Sequence, residues 1–136
     1  MVLNSADAER IADEVLSNFE GVLAISLMDM RGSLLASKSR GAFRQAFAVS
    51  PDRAKNSGTL ALAVLRLVNE VRTIFGAAKA IITIHENCKL MLLPLSSFQV
   101  LIGLVLQRSV SVEDPTFAEQ IEILIADTLD HNSHRL

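Results

Sequence analysis

Four stretches of this sequence are apolar at nearly every position, and they set the fold class. Val22 to Asp29 (VLAISLMD), Lys79 to His85 (KAIITIH), Lys89 to Leu95 (KLMLLPL) and Gln99 to Gln107 (QVLIGLVLQ) each run for the length of a strand with little in-and-out alternation. A strand that shows one face to water alternates, whereas a strand covered on both faces does not. Such strands require helices on both sides of one sheet. The last three are joined only by Glu86-Asn87-Cys88 and by Ser96-Ser97, so they form an antiparallel meander. Val22 to Asp29 is followed, after Met30-Arg31-Gly32-Ser33, by Leu34 to Lys38 (LLASK), which reads as a hairpin. Pro94 has no N–H to give a ladder and belongs near a strand end or bulge, and Gly103 in mid-strand predicts the close approach of a helix.

Helical periodicity supplies the covering elements. Ala8, Ile11, Ala12, Val15, Leu16 and Phe19 fall on one stripe of a helix from about Ala6 to Asn18, with Ser5 as its cap and Gly21 as its stop. Asp114-Pro115 opens a final helix to about Leu129 that buries Phe117, Ala118, Ile121, Leu124, Ile125 and Leu129 and leaves 131–136 as a frayed tail. Between them lies a longer helix. Its start is open between Ser50-Pro51 and Asn56 or Ser57, and it ends near Phe75, with Gly76 as terminator. On a helical wheel Leu60, Ala61, Ala63, Val64, Leu67, Val68, Val71, Ile74 and Phe75 fill an arc of roughly 160°, which is read as core. Leu62 and Leu65 fall outside that arc, beside Asn69 and Arg72, leaving Arg66, Glu70 and Thr73 as the wet strip. Residues 39–50 fit either a short helix or an extension of the preceding strand. The order is α-β-β-α-β-β-β-α, an α+β chain read as one domain over 1–136.

Several function classes are excluded or disfavoured. No apolar run approaches the ~20 residues of a membrane span, and Asp7, Glu9, Asp13 and Glu14 occupy the place where a signal peptide would be basic and then apolar. A single cysteine, Cys88, agrees with a reducing compartment, so the expected address is cytoplasmic. The lack of Trp and Tyr argues against a stacking platform for nucleic acid. No glycine pattern cradles a phosphate. His85 with Cys88, and His131 with His134, offer two ligands each, too few for a zinc site. Ser96 and Ser97 have no oriented base, and Asp29 stands where hairpin turns favour Asp. No enzyme, cofactor or metal site is expected. Net charge is only −2, yet residues 31–55 hold Arg31, Lys38, Arg40, Arg44, Arg53 and Lys55 against the lone acid Asp52, so the rest of the chain is acidic.

The order of elements, with Gly21 to Ser37 (GVLAISLMDMRGSLLAS), the apolar helix from about Leu60 to Phe75, the three-strand meander and a closing helix after VEDP, resembles the roadblock family, the dynein light chain roadblock type. The connection from hairpin to central helix is longer here than in the compact family pattern. The resemblance implies a five-stranded antiparallel sheet in the order 2-1-5-4-3, the central helix on one face and the terminal helices on the other. It also implies dimers joined through central helices and third strands, and work as a scaffold or regulator of Ras-like small GTPases or as a motor or trafficking adaptor. The expected homodimer interface is Leu62, Leu65, Asn69 and Arg72 with Ile82 and Ile84 of the third strand. The expected GTPase-docking segment is Arg40, Phe43, Arg44, Phe47, Arg53 and Lys55, cations steering and phenylalanines anchoring. A small-molecule or signal-sensing module of profilin or GAF type is the alternative, but its pocket needs convergent polar groups, and these strands are almost wholly aliphatic.

Overall fold

The computed structural model describes residues 3–41, 61–112 and 115–133. The alternatives for residues 42–50, the start of the central helix, the Asp114 cap, and Phe43, Arg44, Phe47, Arg53 and Lys55 all lie outside the described residues, as does the tail beyond 133.

Helix α1 (Ser5–Asn18) begins one residue earlier than the periodicity implies, because Asn4 rather than Ser5 is its cap: the Asn4 side-chain oxygen accepts from the Asp7 amide at 2.8 Å. The hairpin β1 (Val22–Asp29) and β2 (Leu34–Ser39) follows. Asp29 shapes its turn, with one carboxylate oxygen accepting from the amides of Arg31 at 2.8 Å and Ser33 at 3.0 Å. Gly32 supplies the positive φ of 87° that the turn requires. The central helix, α2, is described over 61–69; it unwinds at Glu70 and Val71 and regains a single turn, α3 (Arg72–Phe75). Gly76 ends that turn at φ 82°, ψ −178°, a conformation available essentially to glycine alone. Then come β3 (Ile81–Ile84), β4 (Cys88–Leu95), a 3-10 turn (Ser96–Phe98), β5 (Val100–Gln107) and α4 (Thr116–Ser133), which runs beyond the expected end at Leu129.

The sheet has five antiparallel strands in the order β2-β1-β5-β4-β3. Pro94 pairs with Leu101 on the β5 side and falls beyond the last β3–β4 pair, Ile81 with Leu92, so its missing N–H removes no bond to β3. One face carries the main core. Ala8, Ile11, Ala12 and Val15 of α1 and Ile121, Ile125 and Leu129 of α4 pack in one cluster with Ile25, Leu27, Met91, Leu93, Ile102 and Leu104 of the sheet. Each fully buried Ile or Leu here contributes about 1.5–3 kcal/mol. Phe19 and Phe117 join the helices edge to face at 5.6 Å. On the other face, Leu62 and Leu65 of α2 sit with Met28 and Leu101 in a smaller cluster. Gly103 does not mark a tight helix approach: a Cβ there would lie 3.8 Å from the Met28 side chain, an ordinary contact. Gly21 does sit in a close approach, since a Cβ there would run into Cγ2 of Val110.

Candidate interaction surface

A helix that is apolar over most of its circumference can bury only one side against a sheet, and α2 turns inward the side opposite the broad apolar arc of its wheel. Leu62 and Leu65, expected as surplus surface, are 9% and 8% exposed and form the inner seam. Of the arc expected as core, Val64, Leu67 and Val71 are exposed, and Ile74 and Phe75 of α3 are 73% and 79% exposed. The reason is fit rather than count. Leu62 and Leu65 pack over Met28 and Leu101, with Ala61, Ile81 and Leu92 against them. The broader stripe exceeds what one sheet face can cover. Asn69 and Arg72 are exposed at the end of α2 and the start of α3. The result is a row of exposed large apolar residues along α2 and α3, Val64, Leu67, Val71, Ile74 and Phe75, and exposed apolar surface of this kind is a candidate for interaction.

Strand β3 lies at one edge of the sheet, and among the described residues only β4 pairs with it. Ile81 packs toward the α2 cluster, whereas Ile82 pairs with Met91 of the main core and so faces the side of α1 and α4. Ile84 follows Ile82 by the two-residue period of a strand and is 60% exposed. A bare apolar edge of this kind invites strand pairing.

Two cations at the described end of the basic segment, Lys38 and Arg40, are engaged within the fold. Arg40 is an internal clamp: its Nε donates to the Val22 carbonyl at 2.8 Å, and its Nη2 donates to the carbonyls of Leu16 at 2.7 Å and Phe19 at 2.9 Å. The Leu16 and Phe19 carbonyls lie at and just beyond the C-terminal end of α1, where a cation also suits the helix dipole. Arg40 therefore locks α1 to β1 and is not a free steering charge. Lys38 pairs with Asp13 of α1 at 2.6 Å. Sequence reasoning missed the clamp because it joins residues some 20 positions apart, and no local pattern signals it.

Of the remaining candidates, His85 and Cys88 belong to a turn. The His85 Nε2 meets the Thr83 hydroxyl at 2.9 Å, and the His85 amide donates to the Cys88 carbonyl, so these residues close a turn. Among the described residues no group of three or more His, Cys, Asp or Glu gathers as for a metal ion. No described helix is long and apolar enough to cross a membrane.

No protein-family model and no curated protein matches this chain. Solved structures do match, across nearly the whole length. A roadblock/LC7 domain from Streptomyces avermitilis superposes with a TM-score of 0.65 at 10% identity, covering 90% of this chain and 95% of its own. The gliding protein MglB of Thermus thermophilus gives 0.69 at 15% identity, with 96% of each chain covered. MglB of Myxococcus xanthus gives 0.66 at 12% identity, covering 99% of this chain and 96% of its own.

Proposed function

From this roadblock fold we propose that the chain is a non-enzymatic homodimeric adaptor or regulator that binds a Ras-like small GTPase in the cytoplasm. The observation that carries the reading is the exposed row Val64, Leu67, Val71, Ile74 and Phe75, together with β3 at the edge of the described sheet. A two-fold axis lets each stripe and each edge meet its own copy, removing both liabilities at once. Asn69 and Arg72 lie at the margin of that contact, and Ile82 and Ile84 lie along the paired edges. Leu62 and Leu65 support the interface from beneath rather than form it.

The GTPase and the regulator role enter through the roadblock resemblance, and the fold shared with the gliding protein MglB is consistent with it. The docking segment is Phe43, Arg44, Phe47, Arg53 and Lys55, with Arg40 anchoring its start to the body of the domain. Cations attract an acidic partner over a range set by salt screening, and the two phenylalanines supply the apolar contact. Immobilised protein is incubated with extract of its own cell loaded with GDP or a GTP analogue, and retained small GTPases are identified by mass spectrometry. Retention of a Ras-like protein in one nucleotide state supports the proposal. If none is retained in either state, the adaptor reading fails and a sensor role takes its place.

A further inference from the structure

On the opposite face from the α2 stripe, an open groove of about 630 Å³ runs between α4 and the far end of the β3–β4 ladder. Its apolar lining includes Ala77, Ala78, Pro94, Phe98, Ile123 and Ala126. Ile123 is 60% exposed, an isoleucine on the outer side of a helix whose Ile121 and Ile125 are fully buried. Glu119 and Glu122 line the same groove from α4, four residues and one residue before Ile123, so all three sit on adjoining turns. Lys79 is the cation among the lining residues. Among the described residues no ion pair engages Glu119, Glu122 or Lys79; the pairs present are Arg10 with Asp7 and Lys38 with Asp13. Beyond the groove, α4 continues acidic: between 116 and 130 it holds Glu119, Glu122, Asp127 and Asp130 and no Lys or Arg.

We infer that this groove is a docking site for a basic amphipathic peptide segment of a partner protein, an aliphatic side chain seated on Ile123 and the alanines with Lys or Arg paired to Glu119 and Glu122. Size and charge both select this occupant. The volume lies within the range of pockets that hold a small ligand or a few side chains, too little for a folded domain. The wall is acidic at the groove and along the helix that forms it, so an acidic segment is repelled and a basic one is drawn in. The groove shares no lining residue with the proposed dimer contact, although Ala77 to Lys79 connect the α3 end of that contact to β3.

The test uses the full chain and a fluorescein-labelled synthetic peptide built as an amphipathic Lys/Leu repeat, with a matched Glu/Leu peptide as control, read by fluorescence anisotropy. The Lys/Leu peptide should bind, and the Glu/Leu peptide should not. Glu119→Lys with Glu122→Lys should weaken binding about ten-fold or more, because two attractions become repulsions. Ile123→Ser should also weaken it. Glu9→Lys with Glu20→Lys, the same charge change placed on exposed positions outside the groove, should leave binding within about two-fold. Glu119→Gln with Glu122→Gln, which adds no repulsion, should fall between. Equal weakening by the two Lys pairs shows unspecific attraction and overturns the proposal, as does binding indifferent to all the groove variants. If Ile123→Ser alters the sedimentation mass of the protein without peptide, the occupant is a second copy, and the proposal is again overturned.

Discussion

Leu67→Glu separates the outward stripe of α2 from its inward seam. Leu67 is 67% exposed in the single chain, so it has little to lose from the fold and much to lose from an interface. Full burial of a leucine contributes about 1.5–3 kcal/mol, and covering the exposed two thirds contributes about 1–2 kcal/mol per protomer. A two-fold contact counts it twice, about 2–4 kcal/mol per dimer. At about 1.4 kcal/mol per decade, the dimer dissociation constant should rise roughly 30- to 700-fold, more if the carboxylate is left desolvated. Sedimentation equilibrium measures the constant, and a thermal melt checks the fold. The contrasting variant is Leu65→Ala. That side chain is 8% exposed and packs with Met28 and Leu101, so truncation leaves a cavity that costs about 2–5 kcal/mol of stability. It should lower the melting temperature while the folded fraction still dimerises. A parent chain that stays monomeric at high concentration, or a Leu67→Glu variant that dimerises as tightly as the parent, refutes the reasoning.

Three further outcomes follow from particular contacts. Arg40→Met removes three hydrogen bonds to the carbonyls of Leu16, Phe19 and Val22 and should cost about 2–4 kcal/mol, read as a lowered midpoint in urea; an unchanged midpoint would show that the clamp contributes nothing. Gly21→Ala should destabilise by about 1–3 kcal/mol because the new Cβ meets Val110, and adding Val110→Ala should restore much of the loss in the same denaturation assay. Arg44→Glu with Arg53→Glu should slow association with a bound GTPase and flatten its salt dependence, measured by stopped-flow at two ionic strengths, with the melting temperature within a few degrees of the parent.

Much of the architecture was legible in the order of residues because local physics carries it. Stretches such as VLAISLMD and QVLIGLVLQ are too apolar for a half-wet strand, and the structure places both inside a sheet with helices on either side. The α1 stripe Ala8, Ile11, Ala12 and Val15 is buried as its spacing requires, because only one side of that helix is apolar and no choice of face exists. Where local physics offered two answers, the folded molecule chose. Helix α2 is apolar on both sides, and periodicity then reports amphipathicity without direction. The space over Met28 and Leu101 admitted Leu62 and Leu65 and turned the broader stripe outward, reversing which residues are candidates for an interface. Arg40 reads as a surface cation in a basic segment until the fold brings the end of α1 within its reach. Ile123 stands off the buried face of α4, and only the juxtaposition of α4 with Pro94 and Ala77 makes it one wall of a groove. Propensity and periodicity act within a few residues, so the order of amino acids settles the elements and which of them need covering. Which face meets which neighbour depends on shape complementarity between segments far apart in the chain, and that is set only when the whole chain packs.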